Sequence, residues 1–191
     1  MTLLQHTKNH TLLMRIWRND KAGLSYKKAM FIFEDDMQQE DELFDISRTI
    51  WQSFSSEQLV RADCKLDPIQ TFALQWVYCH LSDHQVVMLG VDRTAGYQLA
   101  ADMLNEPIDT LSEEDEQDAV VELVNCICGQ LDRDHPANEC FSLPKFLTPE
   151  SMDTLLNSLN KLSDLVANVG GRLFYIALFK AKHVESHGGV E

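Results

Sequence analysis

Residues 172–181, RLFYIALFKA, carry apolar side chains at odd and even positions alike. Successive side chains of a strand point to opposite faces, so a run of this kind is buried on both and belongs in the middle of a sheet. A second β signal lies upstream, where TFALQWVYCH and QVVMLGV, rich in aromatic and β-branched residues, flank the turn-like LSDH. This pattern predicts a β-hairpin. Long helical patterns precede, separate and follow these segments. A chain of 191 residues with 45% hydrophobic content can bury a substantial core but is short for two full domains. The expected architecture is one α+β layered domain, with long helices packed on a largely antiparallel sheet.

From Glu40 to about Ser55, the residues Leu43, Ile46, Ile50 and Phe54 recur at helical spacing and predict a first long helix. After the hairpin, Asp92 or Thr94 is placed to cap a helix through GYQLAADMLN that stops before Pro107. Ser112 and Asp115 have capping-box spacing, and Glu113, Glu114 and Glu116 add negative charge near the positive end of the helix dipole. The acidic run SEEDEQD thus reads as a helix start rather than a metal cage. Its helix is expected to continue to about Arg133, with Pro136 as the stop. Farther on, Thr148 as cap, Pro149 in the first turn, a stripe of Met152, Leu155, Leu156, Leu159 and Leu162, and Gly170 past the end predict a helix over 149–168.

Composition shifts sharply near Glu34. Residues 1–30 hold six Lys or Arg and one acid, whereas 31–50 hold seven acids and one Arg. The expected organisation is a variable N-terminal extension over 1–33, a main domain over 34–182 and a C-terminal tail over 183–191. Within the extension, Leu12, Leu13, Met14, Ile16 and Trp17 fit either an amphipathic docking helix or, as short apolar clusters more often do, a segment packed on the core. The net charge of −14 argues against duplex nucleic acid, whose phosphates are met by Lys and Arg, and against an anionic membrane surface. The opening MTLLQHTKNH lacks the charged-then-apolar build of a signal peptide, and no stretch approaches the roughly 18 apolar residues of a membrane span. Five cysteines, an odd number without framework-like spacing, fit reduced thiols. A cytoplasmic protein is expected.

The segment 118–131, DAVVELVNCICGQL, holds the strongest functional signal. On a helix, Asp118, Glu122, Asn125 and Gly129 fall within an arc of roughly 60°. Val120, Leu123, Val124, Ile127 and Leu131 gather on the opposite side, so the polar stripe faces outward, toward water or a partner. Polar residues at this spacing are the ordinary pattern of a solvated face. Asn125 and Gly129 depart from it, because Asn is a mediocre helix former and Gly costs about 1 kcal/mol relative to Ala in a helix interior. Glu42, Asp45 and Thr49 on the first helix repeat the spacing of Glu122, Asn125 and Gly129, an echo that a solvated face explains as readily.

Other chemistry finds little support. Cys126, Cys128, His135 and Cys140 do not make a zinc quartet, since residues two apart on a helix point roughly 160° away from each other. His80 and His84 bracket a turn without further ligands, and no Ser-His-Asp pattern, Walker loop or dinucleotide fingerprint occurs.

With Asp118-x-x-x-Glu122-x-x-Asn125-x-x-x-Gly129 placed after VMLGVDRTAGYQLAADMLNEP and a short acidic linker, the chain resembles the CheC/CheX/FliY family of chemotaxis phosphatases, specifically its CheX-like branch. The resemblance implies a pseudo-symmetric fold with two long helices and hydrolysis of the phosphoaspartate of a CheY-type response regulator, in chemotaxis or two-component signalling. It implies that Glu122 docks against a lysine beside the regulator's phosphorylation site and that Asn125 orients the attacking water. Asp118, where the family has Ser or Asp, would add contacts at the rim, and Gly129 would leave room for a close partner surface. No cofactor or metal is expected on this chain; Mg²⁺ is expected on the response regulator, and a homodimer is expected of the family. Asp45 stands on the first helix where a second active copy would need Asn, so one functional site per chain is expected. The alternative is a non-catalytic CheX-like module that binds a receiver domain or other signalling protein through the same helix.

Overall fold

A computed structural model of the chain describes residues 26–64, 66, 73–81, 84–133 and 141–182, with side chains from residue 38 onward. The chain divides into two compact units, Met1–Met37 and Gln38–Glu191, and the architecture below is that of the second. The apolar cluster at Leu12–Trp17, together with His135, Pro136 and Cys140, lies outside the described residues. In chain order the elements are α1 (Tyr26–Phe54), β1 (Leu59–Arg61), β2 (Leu74–His80), β3 (Gln85–Asp92), α2 (Arg93–Leu104), a 3-10 turn (Ile108–Thr110), α3 (Glu113–Leu131), β4 (Lys145–Phe146), α4 (Pro149–Asn157), β5 (Leu159–Val169) and β6 (Arg172–Ala181).

The described strands form one antiparallel sheet in the order β1-β5-β6-β3-β2-β4. Strand β6 lies inside it, paired with β5 and β3, which is why RLFYIALFKA is apolar on both faces. Its Phe174, Ile176 and Leu178 face a layer built from α1, α2 and α3, together with Val87, Leu89 and Val91 of β3 and Val77 and Cys79 of β2. Trp51 of α1 meets Phe174 edge-on, with ring centroids 5.8 Å apart, and its indole N–H donates to the Glu57 carbonyl (3.0 Å). Tyr175, Ala177 and Phe179 point to the other face, where they join Trp76, Val86 and Met88, with Met152 and Leu155 of α4 packed against them. The hairpin expected from TFALQWVYCH and QVVMLGV is β2–β3, in register from Leu74↔Asp92 to His80↔Val86.

Helix boundaries follow the capping chemistry. Asp92 caps α2, its side chain accepting from the Thr94 N–H (2.8 Å), and Asn105 ends the helix in the left-handed conformation, before Pro107. Helix α1 ends at Phe54, where the apolar period fades, but it begins at Tyr26 rather than Glu40 and passes through Glu34. Helix α3 stops at Leu131, with the Asp132 N–H bonded to the Cys128 carbonyl (2.9 Å).

The helix predicted over 149–168 is a helix and a strand. Thr148 and Ser151 form a capping box with Pro149 in the first turn, as the sequence indicates, but α4 ends at Asn157 and β5 follows. From Ser163 onward, Ser163, Leu165, Ala167 and Val169 are buried at every second position, the period of a strand. A bulge between Lys161 and Ser163 shifts the register, so Leu159 and Leu162 also fit a helical stripe. Gly170 and Gly171, with φ of 53° and 81°, are not a helix stop but the tight turn of the β5–β6 hairpin.

Candidate functional site

Helix α3 is fastened at both ends. At its start Ser112 Oγ accepts from the Asp115 N–H (3.1 Å), and the Asp115 carboxylate accepts from the Ser112 N–H (2.8 Å). The Ser112 hydroxyl, then its backbone N–H, hold the Asp115 carboxyl below the usual carboxylate range. Arg93 of α2 pairs with Glu113 at 2.6 Å. Along the helix, Ala119, Val120, Leu123, Val124, Ile127 and Cys128 are buried against the sheet and α2, and wholly burying a Leu or Ile stabilises by about 1.5–3 kcal/mol. Near its end the Cys128 thiol meets that of Cys79 on β2, a contact that together with burial pushes the Cys128 thiol up. Cys79 in turn donates to the Ser142 carbonyl (3.0 Å), tying the segment before β4 to the same point.

These anchors turn the polar stripe outward. Asp118 and Glu122 are exposed, while Asn125 and Gly129 are half-buried, so the structure brings the four sequence-predicted residues onto one face. Glu122 Oε1 accepts a long hydrogen bond from the Cys126 thiol (3.7 Å). Burial, and then the Glu122 carboxylate, push that thiol up, which keeps it protonated and a donor. Gly129 already has a neighbour: the Phe141 ring lies 3.9 Å from where a Cβ would stand.

Two clefts lie elsewhere. One, of about 510 Å³, opens on the sheet face opposite the stripe's helix layer, beside Trp76, Met88 and Tyr175; the other is a shallow hollow near Asp102 and Pro107. An exposed carboxylate and a half-buried carboxamide one turn apart on a helix face are groups that a macromolecular partner could meet. Chemically, Glu122 offers a negative charge to a cation, and Asn125 offers two N–H donors and a carbonyl acceptor without charge.

The remaining candidates fall out in plain ways. Glu42, Asp45 and Thr49 are exposed on α1, with Asp45 paired to Arg48 (2.9 Å). His80 and His84 are exposed, Cys128 is in the core and Cys126 on its flank. Among the described residues no group of three His, Cys, Asp or Glu could hold a metal ion, and no helix is long and apolar enough to cross a membrane. Sequence reasoning missed Glu116, taken as one of the charges at the helix start but wholly buried. Its position was informative: it precedes Val120, Leu123 and Ile127 at helical intervals and so sits on the apolar side.

No protein-family model and no curated protein matches the sequence. Solved structures do match the fold. The chemotaxis protein CheX from Vibrio vulnificus aligns over 72% of this chain and 96% of its own, with 13% identity and a TM-score of 0.52. The CheX of Borrelia burgdorferi, solved as a CheX-CheY complex with BeF₃ and Mg²⁺, aligns over 74% of this chain and 97% of its own, with 16% identity and a TM-score of 0.51. At such identities the likeness is one of architecture. The chain therefore has the α+β fold of the CheX chemotaxis proteins.

Proposed function

We propose that the protein is a phosphatase that hydrolyses the phosphoaspartate of a CheY-type response regulator in the cytoplasm. The observation that carries this reading is the placement of Glu122 and Asn125 one turn apart on the outward face of a helix held at both ends. A fold shared with a CheX solved against CheY supports it.

Acyl-phosphate hydrolysis demands mainly positioning. A water attacks phosphorus in line with the bond to the aspartyl oxygen; that bond breaks, the carboxylate leaves with its electron pair, and inorganic phosphate departs with the proton of the attacking water. Asn125 suits the task because its carbonyl can hold the water's hydrogen while its NH₂ meets a phosphoryl oxygen, and it brings no negative charge against the phosphate. Glu122 pairs with the regulator's lysine and sets the register of docking, with Asp118 at the rim. Mg²⁺ belongs to the acidic pocket of the regulator, where it neutralises phosphoryl charge.

The test is the decay of phosphorylated regulator with wild-type protein and with Asn125→Ala, whose fold is checked by circular dichroism. Faster decay with the wild type alone supports the reading. Binding without acceleration would mean a non-catalytic module that recognises receivers through the same stripe.

A further inference from the structure

Glu116 is wholly buried in the first turn of α3, and no step of the chemistry above uses it. Its carboxyl group meets two other elements. From β2, the Gln75 side chain, with its NH₂ turned toward the helix, donates to Oε1 (2.5 Å) and Oε2 (3.3 Å). From α2, Gly96 presents bare backbone, where a Cβ would collide with Oε1 and stand 3.1 Å from Cδ. Arg93 attracts the carboxylate from a distance while it pairs directly with Glu113, whose own charge repels Glu116. Burying a carboxylate in this way is costly, and an apolar residue here would simply extend the face of Val120, Leu123 and Ile127. What the carboxyl provides instead is direction: it fits one rotation of α3 against both β2 and α2, whereas apolar contacts tolerate small rotations.

We propose that Glu116 is the positioning residue of the site, its clasp by Gln75 and its seat on Gly96 fixing the rotation of α3 that points Glu122 and Asn125 outward. The catalytic consequence rests on the phosphatase reading; the structural one does not. Burial raises the Glu116 carboxyl above its ordinary range, against the opposing effects of Gln75 and Arg93. A carboxyl raised in the folded state weakens the helix seat at pH values above the raised value. That loss is relieved as pH falls from the raised value toward the ordinary glutamate value, because the folded form holds the proton more tightly than the unfolded.

Wild type, Glu116→Gln and Glu116→Ala are compared by amide hydrogen exchange across α3 from the ordinary glutamate value upward, about pH 4 to about pH 8, corrected for intrinsic exchange, and by turnover of phosphorylated regulator. Wild-type protection of α3 is expected to rise as pH falls. Glu116→Gln, which keeps the clasp without the charge, is expected to lose that pH dependence and retain turnover. Glu116→Ala, which strands Gln75, is expected to lose α3 protection and about tenfold or more in turnover. The same pH dependence in wild type and Glu116→Gln, or unaltered protection in Glu116→Ala, would overturn the proposal. If wild type leaves the acyl phosphate untouched, the phosphatase reading fails while the exchange data still decide on Glu116.

Discussion

At Gly129 a methyl group would stand in ordinary van der Waals contact with the Phe141 ring, 3.9 Å away, so nothing within the fold demands glycine there. Glycine in a helix interior is less favourable than alanine by about 0.5–1 kcal/mol, and Gly129→Ala is expected to raise stability by that amount in urea titration. A loss of stability would contradict the packing described at Phe141; a gain accompanied by weaker binding to a regulator would place the partner against Gly129 itself. The residues of the stripe were legible in the sequence because helical spacing alone decides which positions share a face, and Asn125 was conspicuous because a solvated helix has little use for it. Glu116 was concealed by its surroundings. Among Glu113, Glu114 and Asp115 it reads as one more charge near a helix start, and only its spacing from Val120, Leu123 and Ile127 betrays that it points inward. Gln75 and Gly96, the partners that make such a burial tolerable, lie on other elements and leave no local signal.

Among the elements, the hairpin β2–β3 and helices α2 and α3 were readable because their signals are local: aromatic and β-branched runs flanking a turn, side-chain caps at Asp92 and Ser112, and a stop before Pro107. Segment 149–169 was not, because two local rules conflict with a long-range one. A capped start and a Leu stripe favour a helix, but pairing with β6 along almost its whole length draws Leu159–Val169 into the sheet, and the bulge near Leu162 hides the alternation. The turn that closes this hairpin gives a direct check. Gly170 has φ of 53°, and a Cβ there would lie 2.6 Å from Glu57 Oε2, the carboxylate paired with Arg172. Gly170→Ala is therefore expected to cost about 1–2 kcal/mol for the left-handed backbone, plus the disturbed ion pair. Gly171→Ala, with nothing within 4 Å of its Cβ, bears the backbone cost alone. Equal denaturation midpoints for Gly170→Ala and wild type would contradict the hairpin turn.

For the molecule as a whole, the sheet order places β2 next to the edge strand β4, and α3 lies against β2, held there by Glu116–Gln75 at one end and Cys128–Cys79 at the other. Glu122 and Asn125 thus stand on a helix of a packed layer rather than on a loop, and under the proposed phosphatase reading this gives the positioning that acyl-phosphate hydrolysis requires. The measurement that tests this division of labour most directly is the dependence of decay rate on the concentration of phosphorylated regulator, for wild type, Glu122→Ala and Asn125→Ala. If Glu122 docks and Asn125 serves the chemistry, Glu122→Ala raises KM and keeps kcat, whereas Asn125→Ala keeps KM and lowers kcat by about 100-fold or more. Wild-type kinetics in both variants, or acceleration that survives loss of Asn125, would contradict the account.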